Sequence, residues 1–451
     1  VSESWSGRVG FIAAAIGSAV GLGSIWKFPY EVGANGGAAF VVFYIAGLGL
    51  AVVPLLLAEF AIGRRGGADA ATSIARVAAA HGAGPGWMWA GVLGVACGAL
   101  VLSFYSVIGG WTLAYTVSTA AAGLPGADAQ AVQARYDALL ASPERMIAYH
   151  AVFLAAAAAV VARGVSRGIE AASKVLMPLL FVLVVALALY SAVQGDLRGT
   201  LRFLFALDLE RFTARAALEA LGLGFFSIGV GFGLMITYAA YAGQGIALCQ
   251  AALVTVLVDT AVSLAAGLAV FPLVFANGLD PASGPGLVFV TLPLAFVRMP
   301  LGEAAAVAFF LLLFVAALAS AISMLELAVA LVTRRAGWSR PRAAAAIAGG
   351  CFVAGLATVF SFNLWANWHP LGAIPDFAEA TAFDLLDHLT SNFLLPIGGI
   401  ALALFAGWAL PESLLRDELR LGARGTLTLR ILMRWATPAL IAVTALAPAL
   451  F

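Results

Sequence analysis

Charge is what this chain has least of. Lysine, arginine, aspartate and glutamate supply 10% of its 451 residues, against 63% hydrophobic residues and a mean hydropathy of +1.02. Soluble domains carry about 25% charge, so a water-soluble globular fold is excluded. The net charge of +1 singles out no class of partner, and no nucleic acid is expected to bind. Cysteine is nearly absent too. Cys97, Cys249 and Cys351 each stand alone in an apolar run, which leaves no disulfide or metal-ligand spacing and reads them as small core residues. His81, His150, His369 and His388 show no metal spacing, lie in or near loops and are given no role. No HExxH, GxSxG or paired Cys/His motif occurs, so neither an enzyme nor an organic cofactor is expected.

What fills the chain instead is a series of apolar runs. Each is about 20 residues or longer, enough for a helix to cross a hydrocarbon core of about 30 Å. Eleven spans are read, at about 8–34, 38–63, 87–121, 146–163, 169–193, 214–242, 246–276, 302–333, 342–360, 381–409 and 429–450. The sequence therefore predicts an all-α polytopic membrane protein with eleven transmembrane helices in a lipid bilayer. The first span follows a short polar stretch, VSESWSGR, without the pattern of a cleaved signal peptide. With the N-terminus cytoplasmic, the inside loops hold Arg64, Arg65, Arg76, Arg163, Arg167, Arg334, Arg335, Arg340, Arg342, Arg416, Arg420, Arg424 and Arg430. The outside loops hold Arg135, Arg145, Arg198, Arg202, Arg211, Arg215 and Arg298, offset by many acids. Cytoplasmic loops are enriched in basic residues, so this asymmetry orients the chain.

Two spans are weakened where a helix should be strongest. Span 1 runs AAIGSAVGLGSIWKFPY, with Gly17, Gly21 and Gly23, and span 6 runs LGLGFFSIGVGFGLMITYAAY, with Gly222, Gly224, Gly229, Gly231 and Gly233. Glycine costs roughly 1 kcal/mol per residue in a helix interior, and a broken backbone in a membrane is tolerated only where it lines a protein-enclosed cavity. Small residues also let membrane helices pack closely, and one cluster alone reads either way. Two clusters at symmetric positions favour the cavity. Span 1 opens a block of five helices over 8–193, and span 6 opens a second over 214–409. Five is odd, so the second block enters from the opposite face. A 5+5 inverted repeat is expected, with helices 1 and 6 discontinuous. A solvated cytoplasmic connector over 410–428 and one extra C-terminal helix over 429–451 follow. Paired broken helices in inverted halves mark the binding site of secondary transporters. Bare carbonyls there suit Na⁺, and amides at a half-helix N-terminus suit a carboxylate.

The motifs GSAVGLGSIWKFPY (17–30), NGGAAF (35–40), EFAIGRR (59–65), GFFSIGVGFG (224–233) and SNFLLPIGG (391–399) together resemble the neurotransmitter:sodium symporter family, in its bacterial amino-acid transporter branch with the leucine-transporter fold. The resemblance runs from Trp5 to the last span, without the twelfth helix common in eukaryotic relatives. It implies a multi-pass protein of a bacterial inner (plasma) membrane, a sodium-coupled symporter that imports neutral amino acids by alternating access. It also implies two sodium ions. One would be held by the Ala19 carbonyl, Ser24, Ser227 and Asp259 with the substrate carboxylate, the other by carbonyls of Gly17, Val20 and Ala316 and the Ser320 hydroxyl. A position commonly Thr or Asp at the second site is Ala319 here, which implies weaker binding. Isolated membrane serines often bond back to their own helix; the register of the motifs argues otherwise for these.

Asp259 stands in VTVLVDTAVSL, and an ionisable side chain at mid-membrane is read as functional. Chloride-dependent relatives hold a halide nearby with Tyr, Gln and Ser. This chain has Tyr44, Ser227 and Ser263 at those places but Leu223 for the Gln, so chloride independence is expected. Relatives that carry monoamines have an Asp at the place of Gly21. Glycine leaves room for a substrate carboxylate, bound by the Leu22 and Gly23 amides and the Tyr105 hydroxyl, with the ammonium on carbonyls of Ala19, Phe226, Ser227 and Gly229. The substrate side chain would lie among Val101, Tyr105, Phe226, Phe232, Ser320 and Met324. None is charged, so a hydrophobic side chain, aliphatic or aromatic, is expected. Ordinary helix packing would explain the apolar members were the motifs absent.

By the same resemblance Lys27 and Asp387 face each other as the outer gate, where most relatives use Arg for Lys27, and Tyr105 and Phe226 form a lid beneath. Glu59 matches a carboxylate that bonds the unwound backbone of span 6. At the inner gate Trp5 and Tyr241 match, but the family's N-terminal Arg falls at Ser2 and its acidic partner near Arg334. Two alternatives stay open: a membrane amino-acid sensor that keeps the site without cycling, and a proton-coupled variant using Asp259.

Overall fold

Proline and short polar side chains set where the helices begin. Asp69, Ser142, Asp196, Thr213 and Thr381 each accept a backbone N–H from the first turn that follows, the donors a helix start leaves unpaired. Pro143 follows Ser142 at the first helical position, where its missing N–H costs nothing. The computed structural model describes residues 3–126, 128–208, 212–282 and 286–450; Ser2 and Arg211 lie outside them. In chain order the helices are α1 (Arg8–Ala19), α2 (Gly23–Ala34), α3 (Ala38–Gly66), α4 (Ala70–Ala80), α5 (Pro85–Ala122), α6 (Ala129–Leu140), α7 (Pro143–Ala162), α8 (Val165–Gln194) and α9 (Leu197–Phe205). They continue as α10 (Ala214–Ile228), α11 (Leu234–Ala240), α12 (Leu248–Ala276), α13 (Leu287–Val297), α14 (Gly302–Ala336), α15 (Arg340–Ser361), α16 (Ala382–Ala409), α17 (Glu412–Leu419) and α18 (Ala423–Leu446).

Every regular element among the described residues is helical. Nine helices there are long and apolar enough to cross a membrane, and α1 with α2 makes a tenth, bent by 51°. The interrupted pair α10 and α11 falls where span 6 is expected, so the arrangement accommodates eleven spans. The two long rods α5 and α14 pack along each other at the centre, and α1 leans on α8, α12 and α14. On the other side α10 and α11 lie against α3. The site is therefore framed by two half-helix pairs held between continuous helices.

Three expectations are corrected. The last helix begins at Ala423 rather than 429, and the stretch 410–428 is not simply solvated. Within it α17 buries Leu414, Leu415, Glu418 and Leu419 against α3. Its charge suggests exposure, but Glu418 is 6% exposed because it neutralises buried Arg64, Nε to Oε2 at 2.6 Å. Arg64 also donates to the Ile246 carbonyl at 2.7 Å, so one guanidinium ties α3, α17 and the turn before α12 together. His150 is no loop residue: it sits inside α7, fully buried, 2.9 Å from the Ser106 hydroxyl of α5 and stacked on Phe352.

Candidate functional site

The two breaks arise differently. After α10, Gly229, Gly231 and Gly233 have φ of 69°, 98° and 76°, a left-handed region that side chains disfavour. The chain therefore leaves the helix at Gly229 and re-enters it only at Leu234. After α1 the backbone is extended at Val20, with φ −77° and ψ 99°, and the nearby glycines serve close approach instead. A Cβ on Gly21 would lie 2.6 Å from Ser320 Oγ and 3.0 Å from Tyr105 Oη, and one on Gly23 would lie 3.0 Å from Ser227 Cα. Both breaks thus face the same place.

Buried Glu59 of α3 holds the second break open. Its carboxylate accepts the Gly231 N–H at 2.6 Å and the Met235 N–H at 3.1 Å, donors that no helical carbonyl reaches. Glu59→Ala should strand both amides in a buried setting, a cost of about 1–3 kcal/mol each. Its melting temperature should fall by several degrees in a thermal-shift measurement, more than for Glu59→Gln, which keeps one acceptor.

Between the breaks lies a cavity lined by Ser18, Gly21, Leu22, Gly23, Val101, Tyr105, Phe226, Ser227, Ile228, Gly229, Phe232, Leu234, Ser320 and Met324. Every residue expected to bind substrate is among them except Ala19, which is fully buried as the last residue of α1 and can offer only its backbone. The Leu22 N–H donates to the Tyr105 hydroxyl at 3.2 Å, so these two groups lie within reach of one ligand oxygen. Leu22 and Gly23 sit at the N-terminus of α2, the electropositive end; Phe226, Ser227 and Gly229 sit at the C-terminus of α10, the electronegative end. A zwitterion fits that polarity, carboxylate toward α2 and ammonium toward α10.

Beside the cavity two oxygen clusters form. Ser24 Oγ lies 3.0 Å from Ser227 Oγ and donates to Asp259 Oδ1 at 2.5 Å, and the Tyr44 hydroxyl donates to Asp259 Oδ2 at 3.3 Å. Ser24 and Asp259 are fully buried. Ser263 and Leu223 are also buried. The second cluster gathers around Ser320, whose hydroxyl lies 3.5 Å from the Gly17 carbonyl, 3.3 Å from that of Ser18 and 3.5 Å from that of Val20. Ala316 and Ala319 stand on the same helix, α14, both buried. Oxygen-only sets of this kind suit a hard monovalent cation; among the described residues no group of three or more His, Cys, Asp or Glu could hold a metal ion.

The sodium:neurotransmitter symporter model matches residues 2–139 and 140–366. The crystal structure of MhsT in complex with L-phenylalanine superposes with a TM-score of 0.88 at 40% identity, covering 99% of each chain. An uncharacterized sodium-dependent transporter of Bacillus subtilis is 37% identical over 93% of this chain and 90% of its own length. Another, from Methanocaldococcus jannaschii, is 30% identical over 92% of this chain and 84% of its own. The chain belongs to the sodium:neurotransmitter symporter family. It is a multi-pass membrane transporter with Na⁺ as coupling ion, and it is not an enzyme.

In this symporter Phe226 separates the cavity from a vestibule lined by Lys27, Glu31, Glu219, Ser391 and Asn392 among others. The pairing expected of Lys27 with Asp387 is not formed. The Lys27 ammonium lies over the Phe226 ring, 4.5 Å from its centroid, and Asp387 accepts from Ser391 at 3.0 Å. A flexible point charge without a fork geometry is free to choose the ring face. At the other end Trp5 and Tyr241 do meet: the Trp5 N–H donates to the Tyr241 carbonyl at 3.2 Å and its indole to the Tyr238 carbonyl at 2.8 Å. Sequence reasoning missed three lining residues, Ile228, Leu234 and Ser18, and of these Ser18 has a hydroxyl that is buried without a partner. A serine inside an apolar run carries no signal of its own.

Proposed function

We propose that this symporter couples inward movement of Na⁺ to uptake of neutral, hydrophobic amino acids, independently of chloride. It works by alternating access in a bacterial plasma membrane with its N-terminus cytoplasmic. The helices form two inverted repeats over 8–193 and 214–409, and two sodium ions travel with each substrate. One observation carries the reading: an uncharged cavity whose two ends present the start of α2 and the end of α10, with Asp259, Ser24 and Ser227 beside it. A charged substrate side chain would be desolvated there without a partner, at several kcal/mol. The relative that binds L-phenylalanine supports an aromatic or aliphatic cargo. Gly229, at the cavity wall, leaves space that a side chain would fill.

The substrate carboxylate completes the shell of the sodium ion at Asp259, so each ligand raises the affinity of the other by the same factor. A thermal-shift screen of the twenty amino acids with and without Na⁺ tests this, because a ligand that binds only the native state raises its melting temperature. Large aliphatic and aromatic amino acids should stabilise the protein in Na⁺ and not in choline. Stabilisation by lysine or glutamate, or by any amino acid equally without Na⁺, contradicts the reading.

Chloride independence has its own test. Asp259 supplies the fixed negative charge, and Leu223 denies an anion a ligand. Uptake with chloride replaced by gluconate should be unchanged. A large drop refutes the claim.

A further inference from the structure

One cation at the end of the bundle that holds α17 has no acid to answer it. Arg434 of α18 donates from Nε to the Gly407 carbonyl at 2.7 Å, and its guanidinium lies over the Trp408 ring, 4.8 Å from the centroid. Arg430, one turn earlier, pairs with Glu412 at 3.7 Å, but no carboxylate of the described residues pairs with Arg434. The ring of Trp435 meets that of Trp408 edge-on at 5.3 Å. Both indoles are open to the surroundings, at 50% for Trp408 and 64% for Trp435, and so is Trp89 of α5 at 65%. Tryptophan favours the boundary between hydrocarbon and headgroups, so these side chains mark the level of one membrane surface. Arg335, at the end of α14, reaches the same level, donating to Met88 Sδ of α5 at 3.0 Å.

From that level an apolar groove runs into the membrane, lined by Gly86, Trp89, Ala90, Leu93 and Ala96 of α5 and by Ala401 of α16. The five on α5 recur at three- and four-residue spacing, which is one face of a helix, so the groove follows the helix axis for about 15 Å. That is the depth of one leaflet in a hydrocarbon core of about 30 Å. Glycine and alanine keep its floor low. Trp87 packs on Phe405 of α16 at 5.2 Å, which holds the two walls together. Ala401, Phe405 and Trp408 are four and seven positions apart and share one face of α16, so Trp408 and the guanidinium stacked on it stand at the surface end of the groove. We infer that this is a binding site for an anionic phospholipid, with an acyl chain along α5 and the phosphate on the outer nitrogens of Arg434. Charge decides the occupant. A guanidinium without an acid presents a fork that matches a phosphate, whereas a zwitterionic headgroup brings its own cation toward it. Basic pockets between spanning helices hold phosphate headgroups in this way. With the N-terminus cytoplasmic, as proposed above, the leaflet is the inner one; neither the cargo nor the coupling ion enters the inference.

Native mass spectrometry of the full-length symporter, released from micelles with added phosphatidylglycerol or with phosphatidylcholine of the same chains, tests it. The unaltered protein should retain one phosphatidylglycerol roughly five times more tightly than phosphatidylcholine, the scale of one basic residue at a lipid surface. Arg434→Gln should erase that preference, and Arg434→Lys, which keeps the charge without the fork, should fall between. Ala401→Phe fills the groove without touching the charge and should weaken retention of both lipids alike, which keeps the inference testable if Arg434→Gln fails to fold. Arg424→Gln, at an exposed position near the start of the same helix, should change nothing. Equal retention of the two lipids by the unaltered protein overturns the site, and so does retention that Ala401→Phe leaves intact. Displacement of the lipid by excess glycerol phosphate would make this a site for free phosphate, which also contradicts the inference. Because neither Na⁺ nor an amino acid enters the measurement, its failure leaves the proposed transport untouched, and a failed transport assay leaves the lipid site untouched.

Discussion

Asp259→Ala is expected to raise the Na⁺ concentration for half-maximal amino-acid binding roughly 30- to 1,000-fold. The carboxylate is fully buried and bonded to Ser24 and Tyr44, so its charge is little screened by water. A unit charge about 4 Å from a cation contributes around 4 kcal/mol at an effective dielectric near 20, and some of that is recovered by water entering the gap. A net loss of about 2–4 kcal/mol corresponds to the stated range. Asp259→Asn keeps an oxygen ligand and removes the charge, so it should fall between the two. Scintillation-proximity binding of a labelled amino acid across a Na⁺ series reads both variants. Melting temperatures in choline separate lost sodium affinity from lost folding. Unchanged sodium dependence in Asp259→Ala would remove the carboxylate from the ion site.

The second large effect is at Gly21. Gly21→Asp should abolish uptake, lowering amino-acid affinity by more than about a thousandfold. Two causes add. A Cβ there sits 2.6 Å from Ser320 Oγ, so Ser320 must move away from the carbonyls of Gly17, Ser18 and Val20 that it now approaches. The new carboxylate also lies where the Leu22 amide and Tyr105 hydroxyl would receive the substrate's own, and an unpaired buried charge costs about 3–5 kcal/mol. Gly21→Ala carries only the first cause and should lose far less. A primary amine that lacks a carboxylate provides the cross-check, since Gly21→Asp should penalise it no more than Gly21→Ala does. Equal losses in the two variants would make the effect purely steric.

The path from sequence to site was legible in some places for reasons that the geometry explains. In span 6 the glycines at 229, 231 and 233 were required, since each adopts a left-handed backbone. In span 1 the sequence signal was sound but its cause lay elsewhere: Gly21 and Gly23 make room for Ser320, Tyr105 and Ser227. Ser24, Ser227 and Asp259 met as their motif register implied, although 203 residues separate the two serines. What stayed hidden shares one property, that the partner is far along the chain. Arg64 and Glu418 are 354 positions apart, so α17 looked solvated when it was neutralising a buried cation. Lys27 illustrates the reverse case. Its motif position implied a carboxylate, but the side chain's freedom let it settle on Phe226.

Uptake into reconstituted vesicles tests the account most directly. An inward Na⁺ gradient should drive labelled phenylalanine or leucine above its external concentration, and the accumulation should collapse when Na⁺ is equalised across the membrane. A proton gradient imposed without Na⁺ should drive none. Binding that depends on Na⁺ but yields no accumulation would make the protein a sensor, and accumulation driven by protons alone would assign Asp259 a different ion. Either result contradicts a sodium-coupled amino-acid symporter.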